Sequence, residues 1–409
     1  MKKRGVGMDR KAEVVAFDAT RAESARSRYP NVFPDVAALI AARAPEHPTL
    51  CFSPARARAS ARAFQSGFPG LTTYAVKSNP TPELVRAFAA EGITAFDVAS
   101  TVEMELVRGV LPTAVLHYNN PIRSDHETDV ALKRYAVRHF VVDDREGFER
   151  LAAHVDDPAK IEVSVRIRPA RNMALHDFRS KFGAEPEDAA PLLSEIDRRG
   201  FRTGLTFHPG SQCGDPAAFV ALVFDAAGVA REAGVAPTSL NVGGGFPARY
   251  RGGDAPELDR YFRDIGDAFA RTFDPDKTRL VAEPGRALCA PTMSLLAEVK
   301  HRRANGDVFL NDGIYGSLME LSQIPIEPPV LVRRGPHILT GPAAPVRVYG
   351  PTCDPLDVLP KPVPLPEDIR PGDRIEFGMM GAYSSATITS FNGYGRIETA
   401  TVERILGAR

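Results

Sequence analysis

The feature that most constrains this chain is an alternation of two periodicities. Between about residues 70 and 285, short runs rich in β-branched and aromatic residues alternate with stretches that place apolar residues at i, i+3 and i+4. The runs are TTYAV (72–76), TAFDVA (94–99), AVLHY (114–118), HFVVD (139–143), VSVRI (163–167), GLTFH (204–208), LNVGG (240–244) and LVAEP (280–284). Stretches such as PELVRAFAAEG, VEMELVRGV, REGFERLAAHV and PELDRYFRDIGDAFARTF lie between them. Eight strand–helix units over this length predict an α/β fold, a closed (β/α)8 barrel of the TIM type. An open doubly wound sheet competes with it on pattern alone.

Beyond about residue 290 the helical period fades. MSLLAEVKHRR, DVFLND, VRVYG, RIEFG, SATITSF and IETATVERI read as strands, and the proline-rich LPKPVPLPEDIRPGD reads as loop. This gives a division into residues 1–45, which offer the strand VVAFDA to a β domain, a barrel over 46–288, and a C-terminal all-β domain over 289–409. No fixed-period repeat is present.

Charge and composition narrow the function. The 51 basic residues balance 51 acidic ones, which speaks against a nucleic-acid or membrane-surface partner. No apolar run reaches the ~18 residues of a membrane span. The basic start, MKKRGVGMDRKAEVV, has no apolar stretch behind it and does not read as a secretory signal. Cys51, Cys213, Cys289 and Cys353 match no zinc spacing. The expectation is a cytoplasmic protein with reduced thiols and no metal.

In a barrel the chemistry lies at the C-terminal ends of the strands, and polar residues collect there. Lys77 follows the first run. Asp97 lies in the second, with Ser100 and Glu103 just after it. Arg166 is in the fifth, His208 ends the sixth with Ser211 beyond, Gly243, Gly244 and Gly245 end the seventh, and Glu283, Gly285 and Arg286 follow the eighth. Taken singly, each has a plain reading as a strand cap, a turn or a solvated side chain. Their convergence on one rim does not. A lysine at a buried mouth is expected to have a lowered pKa and a nucleophilic amine. The glycines let backbone N–H groups approach a phosphate. Glu283 can pair with a protonated heterocyclic nitrogen, His208 can stack on a flat ring, and Arg166 with Asp97 can form a buried pair. In the tail, YGPTCDPLD offers Cys353 as a proton donor beside Asp354, and MGAYSSA offers Tyr383 as a phosphate donor. The plain alternatives there are a small buried thiol and a core aromatic.

The motifs YAVKSNP, FDVAS, SVRIR, KFG, FHPGSQC, GGGFP, EPGR, NDGIYGS, YGPTCDPLD, MGAYS and FNGY, in this order, resemble the fold-type III pyridoxal-phosphate decarboxylases, and among them the ornithine decarboxylase branch. The resemblance covers nearly all of the chain after about residue 40. It implies an alanine-racemase-like barrel with a β domain, pyridoxal 5'-phosphate as cofactor, and a homodimer with active sites at the interface. Carried over, Lys77 is the Schiff-base lysine, Glu283 meets the pyridine nitrogen and His208 stacks on the ring. Asp97, Glu103 and Arg166 support the site. Ser211, Gly243, Gly244, Gly245, Gly285, Arg286 and Tyr383 hold the phosphate. The partner's copy of Cys353 reprotonates the substrate, Asp354 faces its distal amine, and Lys181 with Asp357 bridges the subunits.

One departure bears on the substrate. The family's usual Tyr-Asp pair after the NDGIYGS motif is missing, and the chain reads YGSLMELSQIPIEP. Glu320 and Glu327 are the nearby acids, and Tyr315 and Glu320 join Asp354 as substrate-binding candidates. The implied reaction is decarboxylation of a basic amino acid, L-ornithine to putrescine first. Lysine, arginine, diaminopimelate or a modified diamino acid are the alternatives, and a regulatory homologue that binds a partner protein is the non-enzymatic one.

Overall fold

The computed structural model describes residues 32–407. The run VVAFDA lies outside the described residues. The eight alternating runs become eight parallel strands, β3 (Leu71–Ala75), β4 (Ala95–Val98), β5 (Val115–Tyr118), β6 (His139–Val142), β7 (Glu162–Ile167), β8 (Arg202–Phe207), β9 (Ser239–Asn241) and β10 (Arg279–Ala282). They follow β1 (Phe33–Asp35) and β2 (Thr49–Phe52) in the chain. The pairing β10-β3-β4-β5-β6-β7-β8-β9 closes on itself, with Val281 opposite Leu71 and Ala282 opposite Thr72. That closure excludes the open sheet.

The helices form where the sequence provides start signals. Ser53, Ser100, Asp144 and Asp215 each accept a backbone N–H at a helix N-terminus, and Pro54 and Pro216 stand in first turns. The longer helices turn an apolar stripe inward. Leu258–Thr272 buries Tyr261, Phe262, Ile265, Ala268 and Phe269. Phe262 meets Phe64 edge-on at 5.0 Å, and Phe64 meets Phe246 at 5.5 Å. These contacts dock the outer helices on the barrel.

The remaining strands are β11 (Met293–Arg302), β12 (Val308–Leu310), β13 (Val330–Arg334), β14 (His337–Ile338), β15 (Ala343–Val346), β16 (Val348–Tyr349), β17 (Val363–Pro366), β18 (Arg374–Phe377) and β19 (Glu398–Arg404). With β1 and β2 most of them build a mixed sheet in the order β1-β19-β2-β11-β18-β13-β14, with β12 and β16 branching from β11, while β15 and β17 form a separate pair. Two N-terminal strands therefore sit inside the C-terminal sheet. A small core of Val36, Leu39, Ile40, Cys51, Leu296, Ala400 and Val402 packs under it.

Two local expectations fail. SATITSF is not a strand but a series of turns. Its hydroxyls bond elsewhere: Thr387 Oγ1 to the Tyr383 carbonyl at 2.7 Å and Ser385 Oγ to Asn79 Oδ1 at 3.1 Å. The proline-rich loop contains β17, which pairs only with β15. A two-stranded edge tolerates Pro345, Pro364 and Pro366 because their missing N–H groups can face outward. Among the described residues no helix is long and apolar enough to cross a membrane.

One carboxylate ties the N-terminal end of the barrel. Glu162 at the start of β7 accepts from Ser239 Oγ at 2.6 Å, Thr238 Oγ1 at 3.0 Å and Arg202 at 3.2 Å, with His139 at 3.5 Å. Burial raises its pKa, but these donors outweigh burial and hold it at about 2. A carboxyl with a depressed folded-state pKa contributes stability above its ordinary value near 4.5, and loses it as pH falls toward 2. Glu162→Gln is therefore expected to cost about 2 kcal/mol at pH 7. In urea unfolding measured from pH 7 downward, that gap should narrow only below about pH 4.5.

Candidate active site

Lys77 sits in a single 3-10 turn, Val76–Ser78, directly after β3. The turn is laced to the β domain. Ser78 accepts the Tyr383 N–H at 2.6 Å through its carbonyl, and Asn79 Nδ2 donates to the Gly381 carbonyl at 2.7 Å. Asn79 Oδ1 accepts from Thr81 and Ser385. Lys77 Nζ lies 3.9 Å from Asp97 Oδ2, and its side chain is 45% exposed because it opens into a cavity of about 510 Å³. Burial lowers its pKa, but Asp97, Tyr383 and Glu283 more than offset this, and the amine stands above its ordinary value. This corrects the expectation of a lowered pKa: the carboxyls around the amine keep it charged.

Glu283 follows β10 and is buried, accepting from Asn119 Nδ2 and Asn241 Nδ2. Burial and the neighbouring Asp97 raise its pKa. Asp97 is raised by burial as well. It is not bonded to Arg166, whose guanidinium instead lies 5.2 Å from the Phe182 ring. The expected buried pair is absent because Phe182 takes the face of the arginine and Lys77 takes the aspartate.

His208 accepts the Gly210 N–H on Nδ1 at 3.0 Å, and burial with the nearby Lys77 and Arg166 charges keeps its pKa well below the usual value. It is a neutral imidazole with Nε2 protonated. Gly244 passes so close that a Cβ would lie 2.8 Å from the Glu283 carbonyl and 3.0 Å from His208 Nε2. Gly243 and Gly245 have φ of 68° and 90° and abut the Phe207 and Gly210 carbonyls. The triplet is thus required by packing between the loops after β8 and β10. Gly285 is similarly confined, its Cβ position lying 3.0 Å from Ser78.

Arg286 is a buried cation that lines the same cavity. Its Nε donates to Ser211 Oγ at 3.1 Å, one terminal nitrogen donates to Tyr250 Oη at 3.3 Å, and the other pairs with Glu320. The Tyr383 ring lies 5.0 Å away. Ser100 and Glu103 serve the next helix: Ser100 Oγ accepts the Glu103 N–H at 3.3 Å, and Glu103 Oε2 accepts the Ala99 N–H at 2.7 Å. Burial pushes Glu103 up to about 7.

Residues 55–290 match the family of pyridoxal-dependent decarboxylases over its pyridoxal-binding domain. The chain belongs to this family. A lysine/ornithine decarboxylase of Selenomonas ruminantium is 33% identical over 330 residues, covering 78% of this chain and 80% of its own. The arginine decarboxylase of Paramecium bursaria Chlorella virus superposes with a TM-score of 0.80 at 26% identity, over 89% of this chain and 98% of the other. The lysine/ornithine decarboxylase of Vibrio vulnificus complexed with putrescine gives 0.75 at 32% identity, over 87% and 94%. The protein is a pyridoxal-phosphate-dependent amino-acid decarboxylase. The residues present fit the cofactor: an amine on the rim, a buried carboxyl whose raised pKa favours a cationic partner, and a buried guanidinium with Ser211 beside it.

Cys353 and Asp354 do not line the cavity that Lys77 opens into. Cys353 is exposed, with its N–H and Sγ both on Asn392 Oδ1 at 3.1 and 3.2 Å. Tyr315 Oη donates to Asp354 Oδ2 at 2.5 Å. Asp357 is only 1% exposed and accepts from Ile314 N, Thr352 N and Thr352 Oγ1. The implied bridge from Asp357 to Lys181 of another subunit is therefore not supported, since no exposed carboxylate is offered. Lys181 lies 5.1 Å from the Phe182 ring.

Sequence reasoning missed Asn119, Asn241 and Tyr250. The signal for the two asparagines was available, since both stand at the C-terminal ends of barrel strands. Tyr250 carried none. Replacing Asn79 with alanine should cost about 2–3 kcal/mol in urea unfolding by orphaning the Gly381 carbonyl and its neighbours. It should also weaken cofactor binding, read by absorbance titration.

Proposed function

We propose that the chain decarboxylates L-ornithine to putrescine as a homodimer, with L-lysine as the second reading. The observation that carries this is the split of the site. Lys77, His208, Glu283 and Arg286 belong to one barrel mouth, while Cys353 and the Tyr315–Asp354 pair stand outside its cavity. A second copy could bring its Cys353 and Asp354 to that mouth. Lysine is the second reading because the Selenomonas and Vibrio relatives are named for both substrates.

When bound, the cofactor supplies an electron sink for the bond that releases carbon dioxide. Lys77 Nζ would hold it covalently, and Asp97 would balance the amine's charge. Glu283 would face the ring nitrogen: a carboxyl raised by burial regains its charge beside a cation. The neutral His208 could lie against the ring without adding charge. Arg286, Ser211, Tyr383 and the glycine loops would receive the phosphate. Cys353 Sγ would return a proton to the substrate α-carbon, and the Asp354 carboxylate would meet the distal ammonium. Its pKa is lowered, first by the Tyr315 hydroxyl, so it stays charged at neutral pH.

Carbon dioxide release from L-ornithine, L-lysine, L-arginine, meso-diaminopimelate and D-ornithine tests the substrate. L-Ornithine should have the highest kcat/KM, and a preference for L-arginine or diaminopimelate would refute the assignment. Lys77→Ala should lose the visible absorbance of the bound cofactor. Cys353→Ala should keep it and lose product formation. Mixing these two inactive variants should restore about a quarter of wild-type activity through mixed dimers with one intact site. No recovery on mixing would remove the shared site.

A further inference from the structure

Glu320 was a candidate for the distal amine of the substrate, but its partner is different. It occupies the first turn of the short helix Met319–Gln323, is 6% exposed, and pairs with Arg286. Arg286 is 4% exposed, and all three of its nitrogens have partners: Ser211, Tyr250 and Glu320. Glu320 and Arg286 both line the cavity of Lys77. An anion arriving at this guanidinium meets an ion pair rather than an unpaired cation.

We propose that Glu320 is an internal counter-anion of the phosphate subsite, which competes for Arg286 and weakens the grip on the cofactor phosphate. Two physical effects point the same way. A phosphate carries nearly two negative charges, and a carboxylate held within a few ångströms in a water-poor pocket repels it. Removing one partner of a buried pair also leaves the arginine uncompensated, and a phosphate relieves that cost. Both make phosphate bind more tightly when Glu320 is neutral. A residue that merely oriented Arg286 would have the opposite sign, because its loss would weaken binding. The inference rests on Arg286 being the phosphate subsite, as proposed above.

The test uses the full-length protein stripped of cofactor, with inorganic phosphate, pyridoxal phosphate and pyridoxal as probes in equilibrium dialysis. E320Q should bind inorganic phosphate and pyridoxal phosphate at least tenfold more tightly, while the affinity for pyridoxal, which has no phosphate, stays unchanged. E320M carries the same expectation, so poor folding of one variant does not leave the question open. E320D, which keeps the charge, should stay near wild type. Unchanged or weaker phosphate binding in the neutral variants overturns the proposal. R286Q separates the two levels. If it leaves pyridoxal phosphate affinity intact, the phosphate subsite itself is misassigned. If R286Q loses affinity and E320Q gains none, only the role of Glu320 falls.

Discussion

The seam between β10 and β3 is the constraint on which the site depends. Its ladder does not stop at the paired strands: Thr73 Oγ1 donates to the Ala282 carbonyl at 3.1 Å, and the Ala75 N–H donates to the Pro284 carbonyl at 3.3 Å. Those bonds lie immediately before Lys77 and on either side of Glu283. An amine and a carboxyl remote in sequence are thus fixed on adjacent strands of one sheet. An open sheet would leave the first and last strands apart and would build no such site. The barrel is a requirement of the chemistry as well as a way to bury apolar strands.

Charge balance is the second organising fact. Lys77 pairs with Asp97 and Arg286 with Glu320, and the charges of Glu283 and Arg166 act on Lys77 through space. Asp97 and Glu283 are buried and Lys77 is only partly exposed, so these three lean on one another. That is why Lys77 is held above its usual pKa while Glu283 and Asp97 are raised. No single residue in this set can be read alone, since changing one charge shifts the proton affinity of its neighbours.

Much of this was legible in the sequence. The eight alternating runs became the eight barrel strands, because period-two and period-3.6 patterns record which faces are buried. The rim residues were legible because strand ends in a barrel converge. What the pattern could not record was partnership. Arg166 faces Phe182 and not Asp97, and Glu320 faces Arg286. Both outcomes depend on side chains that arrive from segments with no periodicity. The SATITSF error has a related cause: hydroxyl-rich residues satisfy strand propensity and also bond their own backbone, and only the neighbouring Asn79 decides between the two.

Tyr383 has φ of 61°, a left-handed conformation unusual for a bulky aromatic, and its N–H is held by the Ser78 carbonyl. The bond holds the residue on one side and steadies the turn beside Lys77 on the other. The amine therefore belongs to two folds at once. A chain cut after Ala290 would keep every barrel strand and still lose the contacts that aim its lysine. The barrel is not a separable catalytic module, and insertions or fusions that pull the C-terminal sheet away would silence it without touching a residue of the rim.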